Sequence, residues 1–300
     1  MQKRNYKKQT KGRFNMSNFV NKIDFAVVIS AKNANPNGDP LNGNRPRENY
    51  DGFGEISDVC IKRKIRNRLQ DMGEEIFVQS DERRTDGFRS LKDRAEGCPE
   101  LKKSNKDKEN YAKIACEKWI DVRSFGQVFA FKAGADNSVS IGIRGPVSIH
   151  CAVSISPIEI SSMQITKSVN GETQKDPDKK SSDTMGMKHR VEFGVYVIYG
   201  SINTQLATKT GFSEEDSELI KKSLITLFEN DCSSARPDGS MEVCKVYWWK
   251  HNAQMGQYSS AKVHRSLQVV PIVDIAKSIN DYNISNETLD GLIPEIYDGI

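Results

Sequence analysis

The sequence has no apolar run approaching the ~18 residues that a membrane-spanning helix needs, so no transmembrane segment is expected. Its N-terminal stretch is basic and carries no apolar h-region, which argues against a secretory signal. Histidine is scarce, at four residues, and the six cysteines (Cys60, Cys98, Cys116, Cys151, Cys232, Cys244) form no C-x-x-C pair. They also stand at no metal-ligand spacing from the histidines, so neither a metal nor any other cofactor is expected. Free, mostly buried thiols in a reducing cytoplasm are the expectation. No G-x-x-x-x-G-K-[ST], G-x-S-x-G or H-E-x-x-H occurs, and the carboxylates show no paired motif. That leaves the common phosphate-loop, serine-hydrolase and zinc-protease chemistries without their residues.

What is present is ordinary globular material: 300 residues, 37% hydrophobic and 28% charged, enough to bury a real core. The net charge of +4 is mild, so the distribution of charge must point to any partner. Residues 1–18 hold Lys3, Arg4, Lys7, Lys8, Lys11 and Arg13 with no acid, and are read as a basic flexible tail. Ile23 to Ser30 is nearly continuous in β-branched and aromatic residues, which predicts a central strand covered on both faces. It runs into N-P-N-G-D-P-L-N-G-N-R-P-R (35–47), a long turn rich in asparagine, proline and glycine. Gly38 and Gly43 let backbone N–H groups approach a phosphate, and Asn37, Asn44, Arg45 and Arg47 add donors and planar guanidinium forks.

Ser57-Asp58 then signals a helix start. Ile61, Ile65 and Leu69 form its buried stripe, while Lys62, Arg63, Lys64, Arg66 and Arg68 put five cations in seven residues. An all-positive helix surface favours a polyanion. Residues 70–118 are highly charged and read as an inserted helical subdomain. Between 121 and 127, Arg123, Phe125 and Gln127 alternate as if on a strand, and Arg144 stands at the Gly145-Pro146 bend. Phe125, Trp248 and Trp249 are candidate base-stacking platforms. Asn170-Gly171 marks a protruding hairpin. Ser213 to Asp216 is a capping box for a helix over 214–228, and 242–250 is a strand. The order β-α-β-β-α-β is that of the ferredoxin-like or RRM-like sandwich, but the aromatic K/R-G-F/Y-G/A-F-V-x-F/Y pattern is missing. Catalysis has thin support: His189 and His264 each precede an arginine, and Asp39 sits in the turn.

Several separated blocks carry a resemblance. N-P-N-G-D-P with N-x-P-R, G-x-x-S-D-V-x-I-K-R-K-I-R, D-V-R-x-F-G-x-V-F (121–129), I-R-G-P-V-S-I (143–149) and H-R-V-E-F-G-V-Y (189–196) closely resemble the Cas-seven (Csd-two) family, the backbone subunits of type I-C CRISPR Cascade surveillance complexes. The likeness runs from about residue 22 to 268. It implies an α+β fold: an RRM-like palm (19–69, 119–159 and 191–300 with the C-terminal segment), a helical finger (70–118) and a β-hairpin thumb (160–190). It implies a non-enzymatic scaffold without catalytic residues or cofactor, stacked with further copies of itself along a CRISPR guide RNA. Target DNA would be met through the guide, beside Cas-five-type, large and small subunits and a recruited helicase-nuclease. On that resemblance Asn37, Asn44, Arg45, Arg47, Lys62, Arg63, Arg66, Arg123, Phe125, Gln127, Arg144, Lys188, His189 and Arg190 would touch RNA. Met163, Met185 and Met187 would be thumb wedges that insert between bases. The alternative from a different class is a CRISPR-associated endoribonuclease using His189, His264 or Asp39.

Overall fold

The computed structural model describes residues 18–104, 107–130, 140–168 and 185–300. The basic tail, apart from Asn18, and the tip of the expected thumb hairpin lie outside them. The fold is mixed α/β around one large antiparallel sheet.

The predicted first strand is β1 (Ile23–Ala34), and it lies in the middle of that sheet. Short strands β2 (Gly38–Asp39), β3 (Arg45–Pro46) and β4 (Phe53–Ile56) lead to helix α1 (Asp58–Asp71). Small helices α2 (Leu91–Glu96), α3 (Pro99–Lys103), α4 (Lys108–Lys118) and α5 (Ile120–Phe125) follow. Next come β5 (Gly126–Ala130), β6 (Ser140–Arg144), β7 (Val147–Ile149), β8 (Ala152–Pro157) and β9 (Ile160–Thr166). The chain continues through β10 (Met185–Ile202), α6 (Thr204–Thr210), α7 (Glu214–Ile225) and β11 (Met241–Lys250). It ends with α8 (Ser260–Ser266), β12 (Leu267–Pro271), β13 (Tyr282–Asn286) and β14 (Glu295–Asp298).

The main sheet runs β14-β11-β1-β10-β8-β4, with β7 and β9 also paired to β10. Counting β1, β7/β8, β10 and β11 as the four strands of the β-α-β-β-α-β pattern, the order across the sheet is fourth, first, third, second. β1 pairs antiparallel on both sides, Val27 opposite Ile198 of β10 and Val246 of β11. Its side chains alternate between two cores, as a period of two requires. Phe25, Val27 and Ile29 pack with Ile61, Ile65 and Leu69 of α1 and with Ile220 and Leu224 of α7. Ala26 and Val28 face the other way, against Val263 of α8, Leu267 and Tyr282.

That second layer settles the tryptophans. Trp248 stacks on Phe25 at 5.5 Å in the first core, and Trp249 stacks on Tyr247 at 5.8 Å in the second. Both are buried, so neither is a base-stacking platform. A third cluster joins Phe77, Trp119, Phe129 and Tyr111 and holds α2 to α5 against the β5–β6 ribbon.

The alternation read over 121–127 is corrected here. Residues 120–125 are a helical turn, and the strand starts only at Gly126, whose φ of +79° reverses the chain. Gly145 stacks its backbone on this joint: a Cβ there would lie 2.2 Å from the Ser124 carbonyl oxygen.

Candidate nucleic-acid interface

The 35–47 loop is folded by its own asparagines. Asp39 accepts a hydrogen bond from the Leu41 N–H at 3.2 Å, capping a single 3-10 turn over Pro40–Asn42. Gly43 and Asn44 take left-handed backbone at φ 57° and 59°, which asparagine tolerates better than most residues. Asn35 donates to the Asn44 carbonyl at 2.7 Å. Asn37 accepts from both the N–H and the hydroxyl of Ser57, each at 2.9 Å, and Ser57 caps α1 through Cys60 N–H. The loop is thus fastened to the N-terminus of α1. Asn37, expected at the RNA, spends its carbonyl oxygen on this joint, whereas Asn44 is exposed.

From this platform Arg45 reaches the hairpin formed by β9 and β10. Its Nη1 donates to Ser162 Oγ at 2.9 Å, and the same oxygen lies 2.8 Å from His189 Nδ1. Arg47 is half-exposed and pairs loosely with Asp39 at 3.5 Å. Its Nε is buried with no acceptor among the described residues, a rarity for a guanidinium N–H.

Register fixes what shares the hairpin's faces, because residues directly opposite in an antiparallel pair project to the same side. One face carries Met185, Met187 and His189 opposite Thr166, Gln164 and Ser162. The other carries Lys188 and Arg190 opposite Met163 and Ser161. Met185 and Met187 are 65% and 56% exposed, so they are not consumed by packing within the chain, and they share the face that Arg45 touches. Met163 is half-exposed on the opposite face. Arg190 bonds Ser161 and lies 3.9 Å from Glu192.

Helix α1 corrects the sequence reading most sharply. Of its five cations, four are spent inside the molecule. Lys62 pairs with Asp58 at 3.0 Å, and that hydrogen bond pulls the Asp58 carboxyl below its ordinary value. Lys64 is buried against Asp231, and burial lowers its ammonium pKa against that partner's pull. Arg66 donates to Asp121 at 3.0 Å and lies over the Phe125 ring at 5.1 Å. Arg68 bonds Thr226 at 2.7 Å and approaches Asp71. Only Arg63 is exposed with no acidic partner among the described residues.

Arg123 is a second correction. Its side chain is 5% exposed, and its Nε and Nη2 hold Asp216, itself fully buried, at 2.8 and 2.7 Å. It joins α5 to the α7 cap and is closed to phosphate. Phe125 is half-buried beneath Arg66, and Gln127 donates to the Val128 carbonyl. Arg144 is exposed at the end of β6, opposite Gly126.

The candidate catalytic groups separate. His264 is buried, bonds the Gly200 carbonyl at 3.1 Å and stacks on Tyr199; burial holds it below its ordinary pKa. Asp39 is occupied as a turn cap. His189 faces a serine and an arginine, with no carboxylate among the described residues to orient it as a base. Among the described residues no group of three or more His, Cys, Asp or Glu could hold a metal ion, and no helix is long and apolar enough to cross a membrane. Sequence reasoning missed Ser162; nothing marks one serine among the pair Ser161-Ser162 until the register is known.

Against this geometry stand the comparisons. The family model described as CRISPR-associated protein Cas7 matches residues 21–287. A curated relative, CRISPR-associated protein Cas7 of Haloferax volcanii, is 27% identical over 220 residues, covering 67% of this chain. The match spans 62% of that relative's own length. Among solved structures, a chain of a CRISPR RNA-guided surveillance complex, pre-nicking, is similar at a TM-score of 0.46 and 14% identity, over 76% of this chain and 75% of its own. A chain of another CRISPR RNA-guided surveillance complex is similar at 0.44 and 13%, over 76% and 68%.

Proposed function

The chain belongs to the Cas7 family of CRISPR-associated proteins, and on that premise we propose that it is an RNA-binding backbone subunit of a type I-C Cascade complex. Copies stack along one guide RNA and leave its bases free to pair with target DNA. The sheet with α1 and α7 on one face is the RRM-like palm, the α2–α4 region is the finger, and β9–β10 is the shaft of the thumb. The covered second face of the sheet supports backbone tracking, since it leaves no open aromatic platform for bases.

The observation that carries this reading is the meeting of Arg45, Ser162 and His189 at the root of a hairpin whose same face exposes Met185 and Met187. It puts phosphate-binding groups beside unbranched apolar side chains able to wedge between bases. Arg45, Arg47, Arg63, Arg144 and Lys188 are the cations that grip the guide. Lys62, Arg66 and Arg123 support them structurally. Neighbouring copies, the Cas-five-type, large and small subunits, and a recruited helicase-nuclease complete the assembly in the cytoplasm.

Binding of guide RNAs of increasing length to the pure protein tests the proposal. Complex mass should rise in equal steps of one copy per added length of spacer. A single mass at all lengths would contradict it. Incubation with repeat RNA, with and without EDTA, separates this scaffold from an endoribonuclease, which would cut.

A further inference from the structure

The three aromatic residues that the sequence offers as base platforms are closed: Trp248 and Trp249 are buried, and Phe125 lies beneath Arg66. Among the described residues the one fully exposed aromatic side chain is Tyr50. It stands at the tip of a short hairpin that continues the 35–47 loop. The Glu55 N–H donates to the Arg47 carbonyl at 2.9 Å, Glu48 and Gly54 bridge, and the Asn49 N–H donates to the Phe53 carbonyl at 2.9 Å. The turn is locked by Asn49, whose Oδ1 accepts from the N–H groups of Asp51 and Phe53 at 3.0 and 2.9 Å, and by Gly52 at a φ of 80°. Gly52 in turn accepts from the Ile158 N–H at 2.9 Å, just before the strand that Arg45 touches at Ser162. Ile158 and Ser162 are at most about 14 Å apart along the chain, so the tip stands beside the cations of the candidate interface.

From this placement, and resting on the guide-binding reading above, we infer that Tyr50 is a stacking platform for one unpaired nucleobase of the guide RNA. A tyrosine ring carried on a preformed turn gives up little freedom when a base lands on it, and every base has a π-face to offer. The other exposed side chains of the tip, Glu48 and Asp51, have no cationic partner among the described residues. Their charge repels phosphate. The sugar-phosphate backbone therefore follows Arg45 and Arg47, and what reaches the tip is a base turned away from it. The stack contains no ion pair, so losing it weakens binding without changing its salt dependence.

The test places 2-aminopurine, a fluorescent base quenched by stacking, at successive spacer positions of a guide RNA and titrates each RNA with the full chain. Binding should quench one position per bound copy through Tyr50: Tyr50→Ala relieves the quenching there and Tyr50→Phe keeps it. Affinity should fall about five- to 150-fold in Tyr50→Ala, the range for losing one base–aromatic stack. Its Tm should stay that of the parent, because the ring is fully exposed. The slope of log K against log salt should also stay unchanged. An abasic nucleotide at the quenched position should weaken the parent equally and add nothing to Tyr50→Ala. Unchanged affinity and quenching in Tyr50→Ala overturn the platform and leave guide binding intact. A loss with a shallower salt slope, which marks a phosphate contact, does the same. So does RNA binding at parent affinity with loss of multi-copy complexes, which marks a protein contact. No RNA binding by the parent protein overturns both readings.

Discussion

Replacing Arg123 by alanine separates a structural arginine from an RNA-binding one. The side chain is almost fully buried and grips a fully buried Asp216 with two hydrogen bonds of 2.8 and 2.7 Å. Removing the arginine leaves that carboxylate buried and accepting, among the described residues, only the Ser213 N–H at 3.1 Å. Breaking a buried pair from one side costs about 3–5 kcal/mol. With an unfolding entropy of roughly 2.1 cal/mol/K per residue, the chain's melting entropy is about 0.6 kcal/mol/K, so Tm should fall by about 5–8 °C. Adding Asp216→Asn removes the stranded charge and keeps an oxygen for the Ser213 N–H, so the double variant should recover roughly half the loss. Thermal melts followed by circular dichroism read all three proteins, and guide binding is measured on the same preparations below the transition. A Tm within ~1 °C of the parent together with weakened RNA binding would refute the reasoning and return Arg123 to the interface.

Arg45→Ala and Arg63→Ala should each weaken guide binding and reduce the slope of log K against log salt by about 0.7, the increment for one phosphate contact on a single strand; an unchanged slope removes that residue from the backbone contacts. Gly145→Ala should destabilise by about 1–3 kcal/mol, because its Cβ would lie 2.2 Å from Ser124 O and 2.5 Å from Gly126 N. Gly142→Ala, with nothing within 4 Å, is the neutral control, and equal urea midpoints for the two would contradict the packing. Burial holds His264 below its ordinary pKa, so the unfolded imidazole binds a proton at higher pH than the folded one. Its contribution is therefore complete above about pH 6.5 and is lost as pH falls through the folded pKa. Urea midpoints should drop as pH falls below about 6.5, and less so in His264→Gln.

Much of the fold was legible because its signals are local. The apolar run starting at Ile23 is the central strand, Ser57 caps α1, Ile61, Ile65 and Leu69 are its buried stripe, and the Ser213 to Asp216 capping box opens α7. The candidate site was legible only in part, because charge pairing is not local. Nothing near Lys64 announces Asp231, 167 residues away, or near Arg66 the carboxylate of Asp121. A run of five cations therefore read as one basic surface, when three of them tie α1 to other parts of the chain and Lys62 pairs with Asp58 of the helix itself. The same limit hid Ser162, whose meaning depends on a register with His189 across 27 residues and an arginine 117 residues earlier. Phe125 looked like a strand residue because a helical turn of six residues is too short to show its period.

The most direct test of the central claim is a nuclease footprint of guide RNA co-expressed with this protein and its complex partners. The stacked-backbone account predicts protection along the spacer interrupted by accessible positions at one regular spacing, and loss of that regularity when Met185 and Met187 are both changed to alanine. Uniform protection without a period, or cleavage that depends on His189, would contradict it.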